Sequence, residues 1–328
     1  MRASLFGSLR NNCANIQHFF WNSQIFHFSK KVQQFKNNFV FLYLLTNHKL
    51  NLNTMKTILV PTDFSKHAES ALKVAAQIAK KNDGEIILLH MLELSTSGND
   101  ALHTAHDIPE LMFFKNAALE KLEDLENASF LNDVKVSSLV QFNMAFDGIM
   151  DNAKKHNVDL VVMGSHGASG FHEMFVGSNA EKVARNSEIP VLVIKKDEEN
   201  FKIDTLTFAS DFSKEIKKPF EKVVDFAKSF GSHINLLHII TPNNFSTTRA
   251  AEEKVKNFIE EFHFSDYSTH IYNDINVEKG ILHFAKDSNT DIIGVCTHGR
   301  KGLSHFLNGS ISEDLVNHAK RPVVAFKI

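Results

Sequence analysis

At 328 residues the chain is long enough for two domains with a core each, and 43% hydrophobic with 23% charged residues is a globular composition. Its two cysteines, Cys13 and Cys296, exclude a disulfide framework. The formal charge of −2 hides an asymmetry: residues 1–54 hold six Lys or Arg and no acid, so the remainder carries 30 basic against 38 acidic residues, a net of −8. Nothing in that balance supports nucleic-acid binding, which depends on a basic excess to displace phosphate counterions.

Residues 1–54 show neither a sustained helical period nor cap signals. Their longest apolar run, Phe39 to Leu45, has seven residues and is too short to cross a bilayer. It also lies too far from the N-terminus for a signal peptide, so no membrane role is expected. The segment is expected to be translated upstream sequence or a disordered leader, with Met55 as the natural start; a targeting leader and a genuine extra segment are the alternatives.

From Ile58 the chain alternates short apolar runs with helical periods. Ile58 to Val60 reads as a strand, and Ala68, Ala71, Leu72, Ala75, Ala76, Ile78 and Ala79 as one face of a helix closing at Gly84. Glu85 to Met91 is a second strand, Ser95 to Ile108 a polar loop, and Pro109 opens a helix to about Asn127. Strand Val134–Phe142, helix Phe146–His156 and strand Asp159–Met163 follow. Next come Gly164-Ser165-His166-Gly167 and, after a loop, Gly177-Ser178-Asn179. A helix over Ala180–Ser187 and a last strand, Val191–Ile194, complete the unit. Such alternation predicts right-handed βαβ units and a parallel sheet covered on both faces.

Glycines at both bends allow close approach of the backbone, and a helix start with free N–H groups and a serine is suited to an anion. Two ordinary turns around a loop would look the same. The pattern Gly-x2-Gly-x9-Gly-Ser fits neither a Walker A loop nor a dinucleotide fingerprint. His-Glu-x2-His and Gly-x-Ser-x-Gly are absent as well, so protease and esterase chemistry lack support. His103, His106 and Asp107 have metal-ligand types, but no third and fourth ligand at suitable spacing; a solvated loop is expected there and no metal site.

A repeat follows a short charged linker, Lys195 to Asn200. Asp211-Phe212-Ser213 and Leu236-Leu237-His238 restate Asp63-Phe64-Ser65 and Leu88-Leu89-His90 at an offset of 148. His298-Gly299, Gly309-Ser310 and Pro322 restate His166-Gly167, Gly177-Ser178 and Pro190 at 132. One α/β unit is therefore duplicated, the second copy being 16 residues shorter.

From Met55 to Ile328 the sequence resembles the universal stress protein family, in its ATP-binding branch, as two copies. The resemblance implies two tandem doubly wound, Rossmann-like α/β domains, at 55–196 and 201–328, each with a five-stranded parallel sheet. It also implies an intrachain pseudo-dimer through the last strands, Val191–Ile194 and Val323–Phe326. Carried onto the first copy, it assigns Pro61, Thr62, Asp63 and Met91 to adenine and ribose, and Met163 and Gly164 to the ribose and α-phosphate. Gly167 would let the loop close, and Gly177, Ser178 and Asn179 would bind phosphate. His166 could touch phosphate or satisfy local backbone, Asp63 could equally form an Asx turn, and Met91 could be core. ATP is the cofactor the resemblance implies, and because Ala168 to Val176 contains no Lys or Arg, Mg²⁺, backbone N–H groups and the helix terminus would have to balance its charge.

The second copy departs from the pattern. Cys296 stands for the first glycine and Ala209-Ser210 for Pro61-Thr62, so its site is expected to be empty or weak, with Arg300 and Lys301 as partial compensation. The leading reading is a cytoplasmic regulator or sensor that binds an adenine nucleotide and has no catalytic residues. A non-nucleotide interaction module and a slow ATP hydrolase are the alternatives; the missing base and arginine finger count against efficient turnover.

Overall fold

In strand β1 (Thr57–Pro61) Ile58, Leu59 and Val60 are all fully buried, so both faces of the strand are covered. That is the environment of a parallel sheet between helices. A computed structural model describes residues 55–93, 108–165, 178–297 and 309–328, with the backbone alone for Ile108, Ser178 and 309–313. Residues 1–54 lie outside the described residues.

Helix α1 (Lys66–Asn82) begins where the Ser65 hydroxyl accepts from the Ala68 N–H at 3.2 Å. Its buried face is the expected alanine-rich stripe. The helix closes on Asp83 at φ 51°, not on Gly84. Gly84 is needed for a different reason: a Cβ there would stand 2.6 Å from the Lys56 carbonyl oxygen. The first copy continues through β2 (Glu85–Leu92), α2 (Ile108–Glu126), β3 (Lys135–Phe142) and α3 (Ala145–Lys155). It ends with β4 (Leu160–Gly164), α4 (Ser178–Asn186) and β5 (Val191–Ile194).

The second copy repeats the plan in β6 (Thr205–Ala209), α5 (Lys217–Phe230), β7 (His233–Ile240), α6 (Thr248–Ile259) and β8 (Tyr267–Asn273). It closes with α7 (Val277–Asp287), β9 (Ile292–Thr297), α8 (Gly309–His318) and β10 (Val323–Lys327). One aspartate anchors each half in the same way. Asp159 Oδ2 accepts from the N–H groups of Lys56 and Thr57, both at 2.9 Å; Asp291 Oδ2 accepts from those of Asp204 and Thr205 at 2.9 and 2.8 Å.

The ten strands among the described residues form one sheet in the order β3-β2-β1-β4-β5-β10-β9-β6-β7-β8. Every pairing is parallel except β5 with β10, where Val191, Leu192 and Val193 oppose Ala325, Val324 and Val323. The expected pseudo-dimer is thus a continuous sheet whose halves run in opposite directions. One core cluster lies under α1, α2, α5 and α6, the other under α3, α4, α7 and α8, and both cross the seam.

Candidate functional site

The strand order reverses between β1 and β4, because β2 follows β1 on one side while β4 lies on the other. At such a switch point the loops leave in opposite directions and open a crevice at the carboxyl ends of the strands. Pro61, Thr62 and Asp63 follow β1, and Met163 and Gly164 end β4 beside it. Met91 sits near the end of β2, the other neighbour of β1, with Pro61 paired to Leu89. Six of the expected residues therefore share one edge of the sheet. Helix α4 begins at Ser178 itself, and Asn179 lies half-buried in its first turn. His166, Gly167 and Gly177, like His103, His106 and Asp107, lie outside the described residues.

The turn after β1 is over-determined. The Thr62 N–H donates to the Leu89 carbonyl at 2.8 Å, and the Thr62 hydroxyl accepts from the Phe64 N–H at 3.1 Å. Asp63 Oδ1 accepts from the Ser65 N–H at 3.0 Å, an Asx turn, while Asp63 itself stays exposed. Phe64 is held at φ 63°, a left-handed conformation that costs a bulky residue about 1–3 kcal/mol. Two contacts offset it: the Phe64 ring lies 4.5 Å from the His90 ring, and Lys121 Nζ stands 5.1 Å above it. His90 Nδ1 donates to the Thr62 carbonyl at 2.8 Å.

The second copy builds the same turn. Phe212 has φ 52°, the Ser210 hydroxyl accepts from the Phe212 N–H at 3.0 Å, and Asp211 Oδ1 accepts from the Ser213 N–H at 3.0 Å. His238 Nδ1 donates to the Ser210 carbonyl at 3.2 Å, and burial pushes the pKa of its imidazole down, so that it holds the turn uncharged. Sequence reasoning used Phe64 and His90 only as repeat landmarks. Their recurrence beside Asp63 in both copies was the signal that they position the turn.

Gly164 also answers a packing need. A Cβ on Gly164 would meet the His67 carbonyl carbon and oxygen, each at 2.6 Å, so the close approach it permits is that of α1 to β4. At the matching position Cys296 is fully buried in the core on that same face, not against the crevice. There the helix start has given way: a 3-10 turn, Lys214–Ile216, precedes α5, and Ser213 makes no side-chain cap bond. The expectation of an empty or weak second site therefore has no steric basis at Cys296. Met91 is also partly a packing residue, since its methyl and sulfur occupy the space a Cβ on Gly148 would need.

At the carboxyl ends of β6 and β7 the second copy holds a cavity of about 780 Å³, with Asp211, His238, Thr241 and Lys254 among its walls. Among the described residues no group of three or more His, Cys, Asp or Glu is placed to hold a metal ion, and no helix is long and apolar enough to cross a membrane.

The sequence matches the Universal stress protein family over residues 54–195 and again over 266–327. The chain belongs to that family. It is 33% identical over 145 residues to universal stress protein MJ0531 of Methanocaldococcus jannaschii, covering 44% of this chain and 84% of that protein. To MJ0577 of the same organism it is 34% identical over 154 residues, covering 43% and 95%. Each relative is spanned almost whole by less than half of this chain, as a single copy would be. The crystal structure of a universal stress protein from Archaeoglobus fulgidus matches 83% of this chain and 98% of its own, with a TM-score of 0.64 and 23% identity, which shows the tandem fold.

Proposed function

We propose that this family member binds ATP in its first copy and acts in the cytoplasm as a stress-response sensor or regulator, not as an efficient enzyme. One observation carries the reading. The strained turn at Phe64 holds the exposed Asp63 at the switch point, beside the end of β4, with the start of α4 on the same edge of the sheet. The donor set suits a nucleoside triphosphate. Asp63 offers a carboxylate to ribose or adenine, and Met91 a half-exposed apolar side chain. The first turn of α4 offers backbone N–H groups that no helical carbonyl can satisfy. Mg²⁺ would balance the remaining phosphate charge. The domain limits 55–196 and 201–328 belong to the same proposal.

Titration calorimetry with Mg²⁺-ATP tests it. The parent should bind, and Gly177→Val, which sets a branched side chain against the phosphates, should bind at least about tenfold more weakly, a loss of 1.4 kcal/mol. Thermal unfolding of the variant should match the parent. Equal affinity in a folded Gly177→Val would place the nucleotide elsewhere.

A further inference from the structure

A second cavity, of about 830 Å³, opens at the amino ends of β9 and β10, where the linker passes the carboxyl-terminal ends of α7 and α8. Because the halves run antiparallel across the seam, it shares an edge of the sheet with the ends of β1 and β4, two to four strand spacings away, roughly 10–19 Å. We propose that it binds a compact small molecule bearing several phosphates, at a site separate from the one at the switch point.

Charge carries the argument. Lys202, Lys286 and Lys320 line the cavity, and among the described residues none of their ammonium groups has a hydrogen bond or an ion pair. Arg321 lines it too and spends one Nη on Asn289 at 3.0 Å. The two carboxylates in the wall are already engaged. Asp291 binds the backbone at the start of β6, and Glu198 pairs with Lys196 at 3.5 Å. Like charges gathered round a concavity repel, and a multivalent anion relieves that repulsion. A single-charged anion would leave most of it.

The plain alternative is that cations at helix ends complement the helix dipoles. The first copy tests that alternative within the molecule. At the offset of 132, His283, Lys286, His318, Lys320 and Arg321 correspond to Asp151, Lys154, Asn186, Glu188 and Ile189. With Asp159 in place of Asp291, the lining positions of the first copy hold one lysine and three carboxylates. Helices α3 and α4 end at those positions without the cluster, so the fold does not require it. The segment just after the linker adds Lys202 to the concentration of charge. Phe201, Leu282 and Pro322 supply an apolar floor, and the volume lies within the range of small-molecule pockets.

The experiment installs the residues of the first copy, K320E with R321I, in the full chain, and titrates inorganic tripolyphosphate at low ionic strength by calorimetry. Both positions are at the surface or half-buried, and a circular-dichroism melt confirms folding. The parent should bind, the double variant at least about tenfold more weakly, and Gly177→Val like the parent. ATP titrated into the Gly177→Val background identifies the source: tighter than tripolyphosphate means a nucleotide whose base uses the apolar floor, equal means phosphates alone. Lysine substitution at Lys202 (Lys202→Ala) should weaken binding in the same direction. No tripolyphosphate binding by the parent, or binding unchanged in the double variant, would each overturn a separate site. The switch-point reading fails if ATP binding in the K320E/R321I background, where the cavity is disabled, is absent or unchanged by Gly177→Val, so the two failures are distinguishable.

Discussion

Gly164 and Cys296 occupy one position in the duplicated unit and solve one packing problem in two ways. In the first copy the backbone of α1 comes so close that a Cβ would sit 2.6 Å from the His67 carbonyl. Gly164→Ala should therefore push strand and helix apart, at about 1–3 kcal/mol, and weaken ATP binding through the displaced Thr62–Ser65 turn. Urea unfolding and calorimetry on the same variant check both. In the second copy the Cys296 side chain fills the gap, and complete burial drives its thiol pKa far up, leaving it unreactive. Cys296→Gly should then cost about 1–3 kcal/mol through the void and the added chain entropy. It should leave the number of nucleotides bound unchanged, and a gain of one would restore the view that Cys296 blocks a ligand.

The seam between the copies is symmetric in backbone and asymmetric in charge. Lys327 meets Glu188 at 2.6 Å, which holds that carboxyl below its ordinary range. The counterpart of Lys327 is Lys195, but the counterpart of Glu188 is Lys320, so the same acid is missing. Lys195 Nζ donates instead to the Val316 carbonyl, and burial lowers its pKa to about 8. Unfolded, the ammonium would hold its proton to about pH 10.4. Between those values the unfolded state binds more protons, so stability should rise with pH from about 8 to about 10.4, by up to about 3 kcal/mol. Below pH 8 the full penalty is present. Lys195→Met should consequently be more stable than the parent at pH 7, by about 1–3 kcal/mol, and lose the rise. Urea unfolding at several pH values decides it; a less stable variant would mean that the bond to Val316 outweighs burial.

At the scale of the molecule, the described residues form a ten-stranded sheet with two switch points whose carboxyl ends face opposite edges. One chain thus holds the two halves that a dimer would supply separately, and β5 against β10 fixes their register. From Ala168 to Val176 the sequence holds no Lys or Arg that could act as an arginine finger on a bound triphosphate. With Mg²⁺ and ATP the purified protein should release phosphate at well under about one per second, below the usual enzyme range. Sustained turnover at enzyme-like rates, retained by a contaminant control, would favour a hydrolase.

Element types and order were legible in the sequence because burial on both faces of a parallel sheet leaves unbroken apolar runs such as Leu160–Met163, while helices show their period. The repeat announced itself through Asp-Phe-Ser and Leu-Leu-His, and the expected site residues that are described fall on one edge because strand ends carry them there. Helix closure at Asp83 was missed, since an aspartate in left-handed conformation leaves no pattern where a glycine stands next to it. The direction of a Cβ is likewise not a sequence property. Whether a glycine serves a ligand or a neighbouring helix depends on which backbone lies opposite, and that is set when α1 docks on β4. Nor could the sequence bring Lys202, Lys286, Lys320 and Arg321 to one cavity. They are separated along the chain and meet only because the linker, two helix ends and the antiparallel seam converge.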